Sequence, residues 1–206
     1  MYIYKVIIFD LGGVVINVSM DKIFEYWANV TGYNANYVKQ IFESKDIFHR
    51  FERGEISPTD YKESVSCKLG LEINEDEFYN VWNDVFHDLD PIIEKLLIDL
   101  KSRFRLVVLT NTNEIHANKW KIKYASILNN FEKIFCSYEI HSRKPEQKAY
   151  EIVLNYLKLE PDCLLFLDDK VKNIKVALNM GIKSILVNST EQMIDELTKL
   201  GIAVSL

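Results

Sequence analysis

Short apolar, β-branched runs in this chain alternate with longer stretches in which apolar positions recur every three or four residues. The first run, Lys5 to Phe9, ends in Asp10 and then Gly12-Gly13, which predicts a fully buried strand feeding a glycine-bearing loop. From about Ser19 to Phe86 the pattern is helical, and nothing in it alternates like a strand. Within it, Ser57-Pro58 predicts an N-cap with proline at the first helical position, and Gly70 the C-terminal stop. Asn74, with Glu77 three residues on, predicts a capping box.

Asp90-Pro91 starts a further helix that runs to about Ser102. A strand over Arg105 to Leu109 follows, then the polar break Thr110-Asn111-Thr112-Asn113. The alternation repeats with a strand over Ile134 to Ser137 and a helix over Pro145 to Lys158. Next come a strand over Cys163 to Leu167, closed by Asp168-Asp169, and a helix from Val171 to Met180 stopped by Gly181. Ser184 to Val187 is a last strand and Glu191 to Leu200 a last helix. Strands alternating with helices predict an α/β fold, a parallel sheet covered on both faces. The helical stretch interrupts that order after the first strand and reads as an insert: a core of residues 1–16 and 91–206, and an all-helical cap of residues 17–90. The cap aromatics Phe24, Tyr26, Trp27, Tyr37, Phe42, Phe48 and Phe51 are expected to form its hydrophobic core.

Composition narrows the function classes. The 206 residues are 48% hydrophobic and 27% charged, with a formal charge of −5. That acidic balance argues against a general nucleic-acid or anionic-membrane surface, so an anionic substrate must be drawn by a local positive site. Cys67, Cys136 and Cys163 form no C-x-x-C pair, which suits a reducing, cytoplasmic setting and predicts three small buried side chains. The first sixteen residues carry Asp10 in their middle and no cationic stretch, unlike a signal peptide. No apolar run is long enough to span a bilayer.

Ligands of an open parallel sheet bind beyond the carboxyl ends of its strands. Polar residues stand at three such ends: Asp10, Thr110-Asn111 and Asp168-Asp169. A strand-end carboxylate is often only a turn former or a helix cap, but three ends of one sheet converge on one place. Three unpaired carboxylates there repel one another, and a hard divalent cation relieves this. Carboxylate, carbonyl and water make a magnesium-like ligand set. Lys144, in Arg143-Lys144-Pro145, supplies a second positive charge, and with magnesium and the Thr110 hydroxyl it makes a pocket for a phosphate dianion. A free Asp10 oxygen then attacks phosphorus to form an aspartyl-phosphate, which water hydrolyses.

Phe9-Asp10-Leu11-Gly12-Gly13-Val14, Leu109-Thr110-Asn111, Lys144-Pro145 and Phe166-Leu167-Asp168-Asp169, in this order, resemble the four motifs of the haloacid dehalogenase superfamily. The likeness spans nearly the whole chain and implies a Rossmann-like core with a small helical cap. Phe48-His49, Glu52-Arg53-Gly54-Glu55-Ile56-Ser57, Asn111-Thr112-Asn113, His116 and Trp120 look like the branch containing bacterial α-D-glucose-1-phosphate phosphatases. The resemblance implies Asp10 as nucleophile and metal ligand, with the Gly12 carbonyl, Asp168 and Asp169 completing the magnesium site. It implies Thr110 and Asn111 as the phosphate-binding pair and Lys144 as the lysine that joins nucleophile to phosphate. It also implies Asn173 as support for the acidic loop.

One departure stands out. Most phosphatases of that superfamily place a second aspartate two residues after the nucleophile, as general acid and base, where this chain has Gly12. That group is typically worth ~10² to 10⁴ in rate. A good leaving group such as an anomeric sugar oxygen, a cap residue such as His49 or Glu52, or water are the three ways to do without it. The phosphatase branch named above shares this glycine, by resemblance.

His49, Glu52 and Arg53 are candidate substrate contacts on a cap helix, where an ordinary polar face is the plainer alternative. Asn113 is a candidate substrate contact or a loop cap, and Trp120 packs in the core or stacks on a sugar. The expected activity is hydrolysis of a small phosphomonoester, such as a sugar phosphate like glucose 1-phosphate, by a monomer or homodimer. A haloacid dehalogenase-type hydrolase, which needs no metal, and a non-catalytic binding module of the same fold are the competing readings. The Asp168-Asp169 pair opposes the first, and the intact nucleophile and lysine oppose the second.

Overall fold

The computed structural model describes residues 3–204, apart from the Lys45 side chain. Five strands, β1 (Val6–Phe9), β2 (Arg105–Thr110), β3 (Lys133–Cys136), β4 (Leu164–Asp168) and β5 (Lys183–Leu186), form one sheet in the order β3-β2-β1-β4-β5. Every neighbouring pair is parallel. β1 and β4 are buried along their whole length, which is why both read as unbroken apolar runs. Successive residues nonetheless serve opposite faces. Ile7, Phe9, Val108 and Leu165 pack into one core, and Val6, Ile8, Val107 and Phe166 into the other.

The cap helices are α1 (Asp21–Thr31), α2 (Ala35–Phe42), α3 (Lys45–Glu52), α4 (Pro58–Leu69) and α5 (Glu75–Trp82). The core helices are α6 (Pro91–Lys101), α7 (Glu114–Lys123), α8 (Ala125–Leu128), α9 (Ser137–Ile140), α10 (Gln147–Leu157), α11 (Val171–Asn179) and α12 (Thr190–Lys199), with a short 3₁₀ turn at Pro161–Cys163. No helix among the described residues is long and apolar enough to cross a membrane.

The cap has its own hydrophobic centre. Phe42 stacks on Phe78 and Trp82, and Phe51 on Tyr61 at 4.3 Å between ring centres. Ile115 of α7 joins this cluster, so the cap rests on the core through apolar contact. The expected cap interior holds for Phe24, Trp27, Phe42 and Phe51, with Phe48 partly buried. Tyr26 and Tyr37 depart from it, at 39% and 50% exposed. Tyr26 turns its hydroxyl to Glu77, and Tyr37 packs edge-on against Tyr33. Cys136 is buried as expected, but Cys163 is only half-buried and Cys67 lies on the exposed side of α4.

Local signals act where the sequence puts them, with three adjustments. Ser57 and Asp60 form a full capping box at the start of α4, and Gly70 ends it in the left-handed region. Asn74 caps α5 by accepting from the Glu77 N–H, but the Glu77 carboxylate turns to the Asn74 side-chain amide and the Tyr26 hydroxyl, leaving the reciprocal half of the box unmade. Ser137 leaves the strand and opens α9, its hydroxyl accepting from the Thr112 N–H and donating to the Thr112 carbonyl. α10 begins at Gln147 instead of Pro145, because Asn111 holds the Lys144 backbone from both sides, 2.8 Å to its N–H and 2.8 Å to its carbonyl.

Candidate active site

Sheet register builds the centre of the site. Phe9 pairs with Leu167 in β4 and with Val108 in β2, so Asp10 comes level with Asp168, one residue short of Thr110. The Lys144 ammonium, fully buried, lies 2.8 Å from Asp10 Oδ1 and 2.7 Å from Asp168 Oδ2. Its charge also sits over the Phe166 ring, 5.6 Å from the centre. Burial works against that charge, but Asp10 and Asp168 outweigh it and raise the Lys144 pKa. Burial pushes Asp10 up to about 7, with Lys144 opposing the rise and Asp168 and Asp169 adding to it.

The two oxygens of Asp10 differ. Oδ1 accepts from the Leu11 N–H at 2.7 Å and from Lys144, while Oδ2 accepts no hydrogen bond from the described residues. Asp168 is the reverse case, with both oxygens used. Oδ1 accepts from the Lys170 N–H at 2.8 Å, Oδ2 from Lys144, and the Asn173 amide donates to both. The loop support expected of Asn173 is therefore a pair of hydrogen bonds. The Tyr150 hydroxyl fixes this residue in turn by donating to the Asn173 backbone carbonyl.

The donor set fits a hard cation. Asp10, Asp168 and Asp169 place carboxylate oxygens within 4.8 Å of one another. Asp169 Oδ1 is buried without a partner among the described residues, and Oδ2 pairs with Lys170 at 2.7 Å. The Gly12 carbonyl accepts no backbone hydrogen bond from the described residues. A buried carboxylate oxygen left unsatisfied is costly, and a divalent ion removes that cost.

Between cap and core lies a cavity of about 170 Å³. Its wall includes Gly12, Val18, Phe48, Glu52, Thr110 and Asn111. The Thr110 hydroxyl is free of protein partners among the described residues, whereas the Asn111 amide is engaged by the Lys144 backbone. Asn113 also lines the cavity but acts as a joint. Its Oδ1 accepts from the His116 N–H that it caps and from Trp82 Nε1, and its Nδ2 meets His116 Nδ1 at 3.2 Å. Trp120 lines the wall, buried, with Nε1 donating to Thr112 Oγ1.

The other cap candidates divide. Glu52 reaches the cavity, paired with Arg143 at 2.7 Å. Sequence reading missed that pair, since its partners are 91 residues apart and no local signal joins them. His49 is not among the residues lining the cavity. Burial lowers its pKa, helped by Arg143, Arg53 and Lys172. Arg53 bonds Glu55 and Glu146, clasping the cap to the loop before α10.

Residues 4–181 match the haloacid dehalogenase-like hydrolases. The chain belongs to that family. This hydrolase is 23% identical over 200 residues to a D-ribitol-5-phosphate phosphatase from Bacteroides thetaiotaomicron, across 94% of this chain and 97% of the relative. A haloacid dehalogenase family enzyme from the same organism, crystallised with magnesium and inorganic phosphate, superposes with a TM-score of 0.80 at 27% identity, covering 91% of this chain and 96% of that one. A haloacid dehalogenase-like hydrolase from Porphyromonas gingivalis shares the fold, with a TM-score of 0.82 at 21% identity over 96% and 98% of the chains. The first two put this hydrolase on the phosphatase side of its family.

Proposed function

We propose that the protein is a magnesium-dependent phosphatase for a small sugar or sugar-alcohol monophosphate. The observation that carries this is Asp10, with Oδ1 held by Leu11 and Lys144 and Oδ2 left free at the carboxyl end of the central strand. Asp10 Oδ2 attacks phosphorus, the bond from phosphorus to the ester oxygen breaks, and that oxygen leaves with the electron pair and takes a proton from water. Water then cleaves the aspartyl-phosphate, releasing phosphate and restoring Asp10.

Asp10, the Gly12 carbonyl, Asp168 and Asp169 hold magnesium in this reading, and the ion supplies positive charge that draws a dianion into an acidic protein. Lys144 opposes the rise that burial imposes on Asp10 and balances charge on the phosphoryl oxygens. The Thr110 hydroxyl donates to a phosphoryl oxygen, and Asn111 positions Lys144 through its backbone. Residues 17–90 act as a cap that excludes water, with Asn113 joining cap to core and His49 set back from the substrate. The phosphatase relative and the magnesium and phosphate of the crystallised neighbour support this over the dehalogenase and binding-module readings. Between glucose 1-phosphate and a sugar-alcohol phosphate, the relative's name favours the second.

Phosphate release from a panel of sugar and sugar-alcohol phosphates, with and without magnesium, tests the reading on wild type and Asp10→Asn. Release that requires magnesium and is abolished in Asp10→Asn is the expected result. Release that survives Asp10→Asn would overturn the assigned nucleophile.

A further inference from the structure

Polar side chains around the cavity are mostly committed already. The Asn111 amide holds the Lys144 backbone, Asn113 holds Trp82 and His116, and Thr112 Oγ1 accepts from Trp120. Among the described residues lining it, two polar groups remain for a ligand: the Thr110 hydroxyl at the strand end, and one oxygen of Glu52 on the cap. Glu52 is the one charged side chain among the described residues lining the cavity, and the other cap residues there are Val18, Met20, Phe48, Val85 and Phe86.

Glu52 is only 6% exposed, and its Oε2 accepts from Nε of Arg143, itself 7% exposed. The second oxygen accepts no hydrogen bond from the described residues. Burial raises the Glu52 pKa, and Arg143, Lys172 and Lys144 act against the rise. Protonating Glu52 would leave a buried guanidinium without its charge partner, so the Arg143 pair favours the ionised carboxylate. The cavity therefore presents a fixed, negative, acceptor-only group among apolar neighbours.

We propose that Glu52 sets the leaving-group specificity: its free oxygen accepts a hydrogen bond from a hydroxyl of a neutral polyhydroxy leaving group, and its charge turns away a leaving group that carries a carboxylate. The proposal rests on the phosphatase reading above. The phosphoryl end belongs to Asp10, Lys144 and Thr110, and the rest of the molecule meets Glu52. A hydroxyl donor satisfies the buried oxygen, whereas a second carboxylate brings that oxygen no hydrogen and adds repulsion that the Arg143 charge, already engaged by Glu52, offsets only in part.

The test compares D-ribitol 5-phosphate, 2-phosphoglycolate and p-nitrophenyl phosphate, which offer hydroxyls, a carboxylate and neither. Wild type is expected to favour ribitol phosphate over phosphoglycolate by at least about tenfold in kcat/KM. Glu52→Gln keeps the size of the side chain. Relative to its rate on p-nitrophenyl phosphate, it should lose about tenfold on ribitol phosphate, mostly through KM, and gain on phosphoglycolate. An equal fall on all three substrates would make Glu52 a cap latch and overturn the proposal. So would a wild type that prefers phosphoglycolate, a comparison that does not depend on any variant folding. Absence of turnover on the whole panel counts against the phosphatase reading instead, and calorimetric binding of ribitol phosphate and phosphoglycolate to the wild-type protein with magnesium still decides the role of Glu52.

Discussion

Gly13 approaches Asp169 so closely that a Cβ on the glycine would lie 2.7 Å from Asp169 Oδ2. The glycine also has φ +83, in the region that side chains avoid. Both features follow from the turn after β1, where the Gly13 N–H donates to the Ile16 carbonyl and brings the chain back beside the acidic loop. Gly13→Ala is expected to cost about 1–3 kcal/mol from backbone strain alone. It should also push Asp169 off its position and shrink the rise in melting temperature that magnesium produces in wild type. Thermal melts with and without magnesium check both effects. An alanine variant that keeps the full magnesium response would show that Asp169 tolerates displacement.

The strand ends were legible in the sequence because β1 and β4 are buried on both faces, so an acidic residue closing either run has no solvent to explain it. The spacing could not show which oxygen of Asp10 stays free, since that depends on where Lys144 arrives from a loop 134 residues later. Asn113 was open between cap and contact, and the structure uses it to cap α7 and tie it to Trp82. The segment holding α7 gave a weak periodic signal, with Ile115, Ala117 and Trp120 set among polar and charged residues. Tyr26, Tyr37 and Cys67 lie exposed, contrary to expectation, because residue type alone does not fix the face of a short helix. The Glu52–Arg143 pair is a tertiary contact, and no local pattern announces it.

Gly12 has room for the missing acid. A Cβ there would meet Val18 Cγ2 at 3.3 Å, and Val18 is 41% exposed, so it can move aside. Gly12 has no positive φ to be strained by a side chain. Gly12→Asp is therefore expected to fold and to speed hydrolysis of simple alkyl phosphates by ~100-fold, the low end of the range for general acid catalysis. p-Nitrophenyl phosphate, whose leaving group departs without protonation, should change little. Steady-state rates on the two ester types check this, and equal or lower rates on alkyl phosphates would show that the missing acid does not limit the reaction.

His116 should make the protein less stable in mild acid. Its Nε2 lies 2.8 Å from the Trp82 carbonyl, its Nδ1 3.2 Å from Asn113 Nδ2, and its ring stacks on Trp82 at 4.9 Å. That pattern suits a neutral ring with its proton on Nε2 donating to Trp82, and it leaves Nδ1 facing an amide donor. Burial lowers the pKa to about 4, with the Trp82 carbonyl opposing. The unfolded chain has a histidine of pKa about 6.5 and so binds the proton first as pH falls. Stability from this residue is fully present above pH ~6.5 and falls by about 1.4 kcal/mol per unit down to pH ~4, a loss on the order of 3 kcal/mol. Urea unfolding of wild type and His116→Gln across pH 7 to 4 isolates the contribution, because the remaining groups titrate in both proteins. The stability difference between the two should narrow as pH falls through that window, and a difference independent of pH would mean that His116 does not titrate on unfolding.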